Sequence, residues 1–246
     1  MRYFIEISYN GKNFHGWQIQ DNAETIQSRL EDSLSKILHK KITVFGSGRT
    51  DKGVHAISQV AHFDYDEVLK PNFLYRMNSI LPIDISINKV SKVRDNTNSR
   101  FDATLREYIY KLHIQKSPFL DGLSLFYKYK INLKLINEAA SILFKYSDFK
   151  SFSKVGTDVN NYNCKIKTAK IKKNKDHFIF TISANRFLRG MVRAIFGTLL
   201  EINENKKSLD DFKKIIEGKD RSLAGPSLPP HGLYLKEVKY NSDIYL

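Results

Sequence analysis

Between two short apolar stretches the chain reads Gly46-Ser-Gly-Arg49-Thr50-Asp51-Lys-Gly53-Val-His55. A permanent cation and a carboxylate stand two residues apart there. Glycines at 46, 48 and 53 let the backbone turn sharply and come close to another molecule. Presented on such a turn, Asp51 can serve as a nucleophile while Arg49 reaches outward to a phosphate. The same residues also make an ordinary turn, in which the Asp caps backbone amides and the Arg is a surface charge. On local sequence alone the ordinary turn is the stronger reading. Metal chemistry is disfavoured: His55 and His62 are an odd number of residues apart and point to opposite faces of one strand. No Cys and no paired carboxylate at helical spacing completes a metal site. Glycoside hydrolysis wants two carboxyls flanking the bond, and only Asp51 sits in a presenting loop.

A second segment, Arg106-Glu-Tyr108-Ile-Tyr110, puts Arg106, Tyr108 and Tyr110 on one face of a strand. Buried, a guanidinium and two hydroxyls all need partners. Exposed, the row suits stacking of a planar base on an aromatic ring while a cation holds phosphate. A half-exposed strand whose tyrosines merely cover apolar surface explains the row equally well.

The third segment is Asn185-Arg186-Phe187-Leu188-Arg189-Gly190-Met191-Val192-Arg193, running on to Gly197. Leu188, Met191, Val192, Ile195, Phe196 and Leu199 form an apolar helical stripe. Arg189, Arg193 and Gly197 form a second one. Gly197 inside a helix costs about 1 kcal/mol relative to Ala, a cost that close approach of another backbone would explain. Arg193, flanked by apolar neighbours, is a candidate buried charge in need of a carboxylate, and Asp51 could supply it. Lys165–Lys175 reads as a basic strand with a solvated face, and the lone Trp17 as a buried anchor.

These segments need elements to hold them. Arg2–Tyr9 alternates as a strand, and 10–20 is a Gly- and Asn-rich loop. The spacing of Ile26, Leu30, Leu34, Ile37 and Leu38 predicts a helix over about 25–39. Ile42–Phe45 reads as a short strand. Val54–Tyr65 has apolar residues on both parities and reads as an interior strand. A helix at 70–81 and a strand at 84–90 complete a first half. The second half has a strand at 106–115, a helix at 132–146, strands near 163–172 and 177–184, helices at 188–202 and 208–217, and a last strand at 232–240. Strands and helices mix without regular crossovers, so the class is α+β. The loose stretch Ser91–Ser99 divides the chain near residue 100, giving halves 1–100 and 101–246 that are similarly built.

Composition bounds the function. The 246 residues are 41% hydrophobic and 27% charged, which excludes a disordered or fibrous chain. No apolar run reaches the roughly 20 residues of a membrane span, and the N-terminus lacks a signal peptide's apolar block. The single Cys164 excludes a disulfide framework and suits a reducing cytosol, so the expected protein is soluble and cytoplasmic. Lys and Arg number 40 against 26 Asp and Glu, a net +14. Residues 1–100 carry a net +3 and residues 101–246 a net +11, an imbalance that suits a polyanionic partner or a Lys-rich solvated surface. Only 11 of the 40 cations are Arg, and five of those 11 fall in the three segments above. In a chain charged mainly by Lys, an Arg marks a place that needs a planar, bidentate fork.

Together the segments resemble the TruA-type tRNA pseudouridine synthases, nearly end to end and in order. The resemblance rests on NFHGWQIQ, ITVFGSGRTDKGVHA, FDATLREYIY, NRFLRGMVRAIFGTLLEI and AGPSLPPHGLYLKEVKY. Lys52 stands where the family commonly has a small residue, and Leu228 where it usually has Ala. The resemblance implies an enzyme that isomerises uridines 38 to 40 in the anticodon stem-loop of tRNA. Asp51 matches the catalytic aspartate, Arg49 the adjacent RNA-contacting arginine, Tyr108 the aromatic that stacks on the target base, and Arg193 the arginine paired with the aspartate. Arg106, Arg189 and His55, inside the same motifs, are the further candidate substrate contacts. Also implied are a homodimer needing no cofactor or metal, tRNA bound across both subunits, and a mixed, mainly antiparallel sheet flanked by helices, with the catalytic cleft between the halves.

Overall fold

The computed structural model describes residues 1–156, 159, 161–175 and 177–246. In chain order the main elements are β1 (Arg2–Tyr9), α1 (Ile26–Leu38), β2 (Phe45–Gly46), β3 (His55–Asp64), α2 (Phe73–Ile80), β4 (Ile85–Val93), β5 (Leu105–His113), β6 (Leu125–Phe126), α3 (Leu133–Ile142), β7 (Ile166–Asn174), β8 (His177–Ala184), α4 (Met191–Asn203), α5 (Leu209–Gly218) and β9 (Leu233–Lys239). The class is α+β, as the mixed periodicities predict. Among the described residues no helix is long and apolar enough to cross a membrane.

Two compact units emerge, one of Met1–Leu105 with Tyr234–Leu246 and the other of Arg106–Leu233. The sequence places a single boundary near residue 100. In the structure the chain's last 13 residues return to the first unit, because β9 pairs in parallel with β3 (His55 with Tyr234, Ala56 with Leu235). Such a return depends on a pairing between segments far apart in sequence, and no local pattern encodes it.

In the first unit β1 lies antiparallel between β3 and β4, and β2 adds to β3. Interior strand β3 buries residues of both parities, as its sequence predicts: Ala61 and Phe63 on one, Val60 and His62 on the other. Leu30, Leu34 and Met77 of the two helices are buried with Ile5 and Ile7 of β1. Helix α1 starts at a capping box: the Thr25 hydroxyl accepts from Ser28 N–H, and Ser28 returns the bond to the Thr25 backbone. The strand expected over Ile42–Phe45 is shorter and later. Side chains of α1 already bond the backbone before it: Ser35 Oγ accepts from Ile42 N–H, Glu31 from Val44 N–H, and Gln27 donates to Val44 C=O. Only Phe45 and Gly46 pair with another strand, β3.

In the second unit β8 lies antiparallel between β5 and β7, with β6 added in parallel to β5. The core is aromatic: Phe180 of β8 stacks on Phe196 of α4 with centroids 4.5 Å apart and planes 3° off parallel. Helix α4 begins at Met191, not Leu188, because Gly190 takes φ +75° as its N-cap. The basic strand β7 buries Ile166, Ala169 and Ile171 and turns Lys167, Lys170 and Lys172 to solvent. Both units guard an outer strand in the same way. Asn78 of α2 makes a two-way amide bond with the backbone of Ile87 in β4, and Asn137 of α3 does so with Ile171 in β7. A helix asparagine thus occupies edge groups that could otherwise recruit a foreign strand, a shared device that fits the similar build read from sequence.

Candidate functional site

In the first unit the residues of interest ride on the segment joining β2 to β3. That segment is bonded at nearly every step. Ser47 N–H donates to Val60 C=O at 2.8 Å. Gln59, fully buried on β3, accepts from the Ser47 hydroxyl at 2.6 Å and donates to Gly48 C=O at 2.8 Å. Next along, Thr50 C=O accepts from Trp17 N–H at 3.1 Å, and the Thr50 hydroxyl sits 2.8 Å from that of Tyr9. Val54 N–H closes a turn onto Asp51 C=O at 3.1 Å. Arg49 is exposed and Asp51 half-buried.

The bed beneath this loop is the segment 11–17, which sequence reading leaves as a plain Gly- and Asn-rich loop. The first free N–H groups of α1, on Ile26 and Gln27, donate to the carbonyls of Gly16 and Trp17. Gly16 has φ +92°, and a Cβ there would lie 2.5 Å from Thr50 O, so only glycine lets the two backbones touch. Gly46 is open for a different reason. The buried Trp17 indole fills the place of its missing side chain, 2.5 Å from an ideal Cβ. Trp17 is therefore the anchor its isolation suggests, and what it anchors is the Asp51 loop.

His55 is 1% exposed, accepts the Gly11 N–H on Nδ1 at 3.1 Å and stacks on Tyr234 at 4.5 Å. Its position suits holding segment 11–17 to β3. His62 is also buried. Its Nδ1 accepts from Ser99 N–H, and the Ser99 hydroxyl donates to Phe45 C=O, so the entrance to the loop is tied to β3 as well. Burial pushes the His62 imidazole down to about 4, which keeps that nitrogen an acceptor. Lys52, the departure from the family pattern, has its Nζ 3.0 Å from His15 Nε2 on the surface.

In the second unit, Arg106 and Tyr108 of β5 meet the segment that leads into α4. Arg106 donates to Asn185 C=O at 2.9 Å, and the half-buried Tyr108 ring packs edge-to-face with Phe187 at 5.3 Å. Tyr110, the third member of that row, is core rather than platform. It is fully buried, its hydroxyl donates to Pro229 C=O at 2.7 Å, and burial pushes that hydroxyl's pKa up. Arg189 is exposed, and its carbonyl accepts from Lys154 N–H at 2.8 Å. Arg193 is half-buried, and its Nε donates to Leu228 C=O while Leu228 N–H donates back to Arg193 C=O.

Leu228 belongs to a strap, residues 224–232, laid along α4. Gly225 N–H donates to the Thr198 hydroxyl at 2.9 Å, and the Pro226 carbonyl lies 2.0 Å from where a Cβ on Gly197 would be. The helical glycine is thus explained by the close backbone approach its cost implies. Gly197→Ala, which on helix propensity alone would gain about 1 kcal/mol, is expected instead to cost about 1–3 kcal/mol. Its urea midpoint should fall accordingly. Leu228 thus meets Arg193 through its backbone, by the two bonds just described.

Sequence reasoning missed Tyr9, Thr50, Gln59 and the strap. One signal was available, since Gln59 is a polar residue on a strand read as buried on both faces, where an amide must find partners.

Comparison with known proteins supplies the family. The family model described as tRNA pseudouridine synthase matches residues 6–102 and 140–241. Three relatives are each named tRNA pseudouridine synthase A. The one from Azobacteroides pseudotrichonymphae is 45% identical over 245 residues, 99% of this chain and 98% of the relative. Those from Parabacteroides distasonis and Bacteroides fragilis are 44% and 47% identical, each covering 99% of this chain and 98% of the relative.

Proposed function

The chain belongs to the tRNA pseudouridine synthase family, and on that premise we propose that it converts uridine to pseudouridine at positions 38, 39 and 40 of the tRNA anticodon stem-loop, with Asp51 as the reacting carboxylate. The observation that carries this reading is the bracing of the Asp51 loop, from Gln59 below Gly48 to Trp17 and Tyr9 on Thr50. A carboxylate that must meet one atom of a base gains most from a backbone fixed on both sides.

The reaction breaks the N1–C1′ bond, turns the base, and joins C5 to C1′. N1 ends with a proton and C5 loses one. Substrate and product are isomers, so no electrons or atoms must be supplied, and the chemistry needs no redox cofactor. The target base first leaves its stack, at a cost of a few kcal/mol. Tyr108 repays part of this by stacking on the base, and Arg49, Arg106 and Arg189 by holding phosphates. Arg193 pairs with Asp51 and favours its ionised form. The carboxylate then attacks C1′ or C6, or removes a proton on the way to a glycal. By resemblance, the working assembly is a homodimer with the RNA held across both copies.

A tRNA transcript labelled with tritium at C5 of its uridines tests the substrate. Label is expected to be released only from transcripts with uridine at 38, 39 or 40, with release matching pseudouridine formed. Release that persists when those three positions are replaced would overturn the assignment of site.

A further inference from the structure

Tyr9 ends β1 and has 4% of its surface exposed, and its ring lies beside Trp17 at 6.3 Å. Phe would fill that place equally well, apart from the hydroxyl. A buried hydroxyl must find a partner, and this one finds the Thr50 hydroxyl, also buried, at 2.8 Å. Thr50 is the residue immediately before Asp51. Its carbonyl is already held by Trp17 N–H, and the Asp51 carbonyl is held by Val54 N–H. The Tyr9 hydroxyl adds a third hold, on the side chain of the residue that leads into the carboxylate. As a stabilising contact, a single neutral hydrogen bond of this kind is worth little. As a constraint on the direction of Asp51 it is worth more, because small displacements of a reacting group are amplified in rate.

We propose that Tyr9 is a positioning residue for the reaction, acting through the Thr50 hydroxyl to aim the Asp51 carboxylate at the target nucleoside. This deepens the reading of Asp51 as the reacting group and rests on it. The two residues lie 41 positions apart in the chain, and the tie joins a strand of the scaffold to the motif that carries the chemistry.

The test compares Tyr9→Phe, Thr50→Val, Thr50→Ser and the Tyr9→Phe/Thr50→Val double variant, with Asp51→Asn in parallel. Each full-length protein is assayed for kcat and KM on the same tRNA and for melting temperature. Tyr9→Phe is expected to lose about tenfold in kcat with KM within about twofold. Thr50→Ser, which keeps a hydroxyl, should recover most of the rate that Thr50→Val loses. The double variant replaces both polar partners by apolar groups, which can be nearly neutral for stability. Its melting temperature should return towards wild type while kcat stays low. A purely structural role predicts the opposite, rate recovering with stability, and that result would overturn the proposal. So would wild-type kcat in Tyr9→Phe; if Asp51→Asn is inactive at the same time, the reading of Asp51 survives alone. Turnover by Asp51→Asn would remove both together. Should Tyr9→Phe fail to fold, Thr50→Val and Thr50→Ser, assayed well below both melting temperatures, decide between the two roles: a hydroxyl at position 50 that restores kcat there supports positioning, and equal rates, or rates that differ only near the melting temperature, overturn it.

Discussion

Arg193→Met is expected to lower kcat on tRNA by about 10²–10³-fold while leaving KM within a few-fold. The reason is the proposed pairing with Asp51. Removing the cation leaves the Asp51 carboxylate without its partner once the bound nucleoside excludes water, and losing one such electrostatic contact costs about 10²–10³-fold in rate. Methionine keeps most of the side chain's length and apolar body, so the stripe of α4 should still pack. The bond from Arg193 Nε to Leu228 C=O is lost, but the Leu228 N–H bond to the Arg193 carbonyl is backbone and remains. The fold should therefore survive, with a stability loss of about 1–3 kcal/mol from the carbonyl left without its donor. Arg193→Lys restores the charge without the planar fork, and should recover only part of the rate. Steady-state kinetics of the two variants beside their urea melts separate these effects. A Met variant that turns over at the wild-type rate would remove Arg193 from the mechanism.

Much of the fold is legible in the chain because it is local. Tyr3, Ile5, Ile7 and Tyr9 alternate and are buried in β1, and the helical spacing from Ile26 to Ile37 yields α1 within a residue at either end. Gly197 could be read as a point of close approach because a helix tolerates glycine poorly, and the strap at Pro226 bears this out. What failed to show is what depends on partners far away in sequence. The strand expected at Ile42–Phe45 shifts to Phe45–Gly46 because Ser35, Glu31 and Gln27 of α1 bond the backbone first. Tyr110 shares parity with Tyr108, yet the carbonyl of Pro229, 119 residues on, draws it into the core. Parity says which side a residue faces, not what covers it. The return of β9 to β3 is of the same kind. For the site, the sequence singles out the motif loop, but its supports (Tyr9, Gln59 and the bed of segment 11–17) lie outside it and become visible only once the strands are paired.

Asp51→Asn is expected to abolish isomerisation outright, a loss larger than that of any other variant considered. Asparagine has nearly the same shape, so the loop's own bonds, which run through Ser47, Gly48, Thr50 and the Asp51 carbonyl, should persist. What disappears is the anionic oxygen that must attack the nucleoside or take its proton, and the neutral amide does neither. Binding of tRNA comes from cations and stacking, so affinity should stay within a few-fold. The direct measurement is tritium release from C5-labelled uridine in tRNA, with the variant in excess over RNA and binding verified in the same samples. No release above the uncatalysed background, from RNA that is demonstrably bound, is the result expected of a reacting carboxylate at position 51. Release at the wild-type rate from that bound RNA would contradict it and would assign the chemistry to another residue.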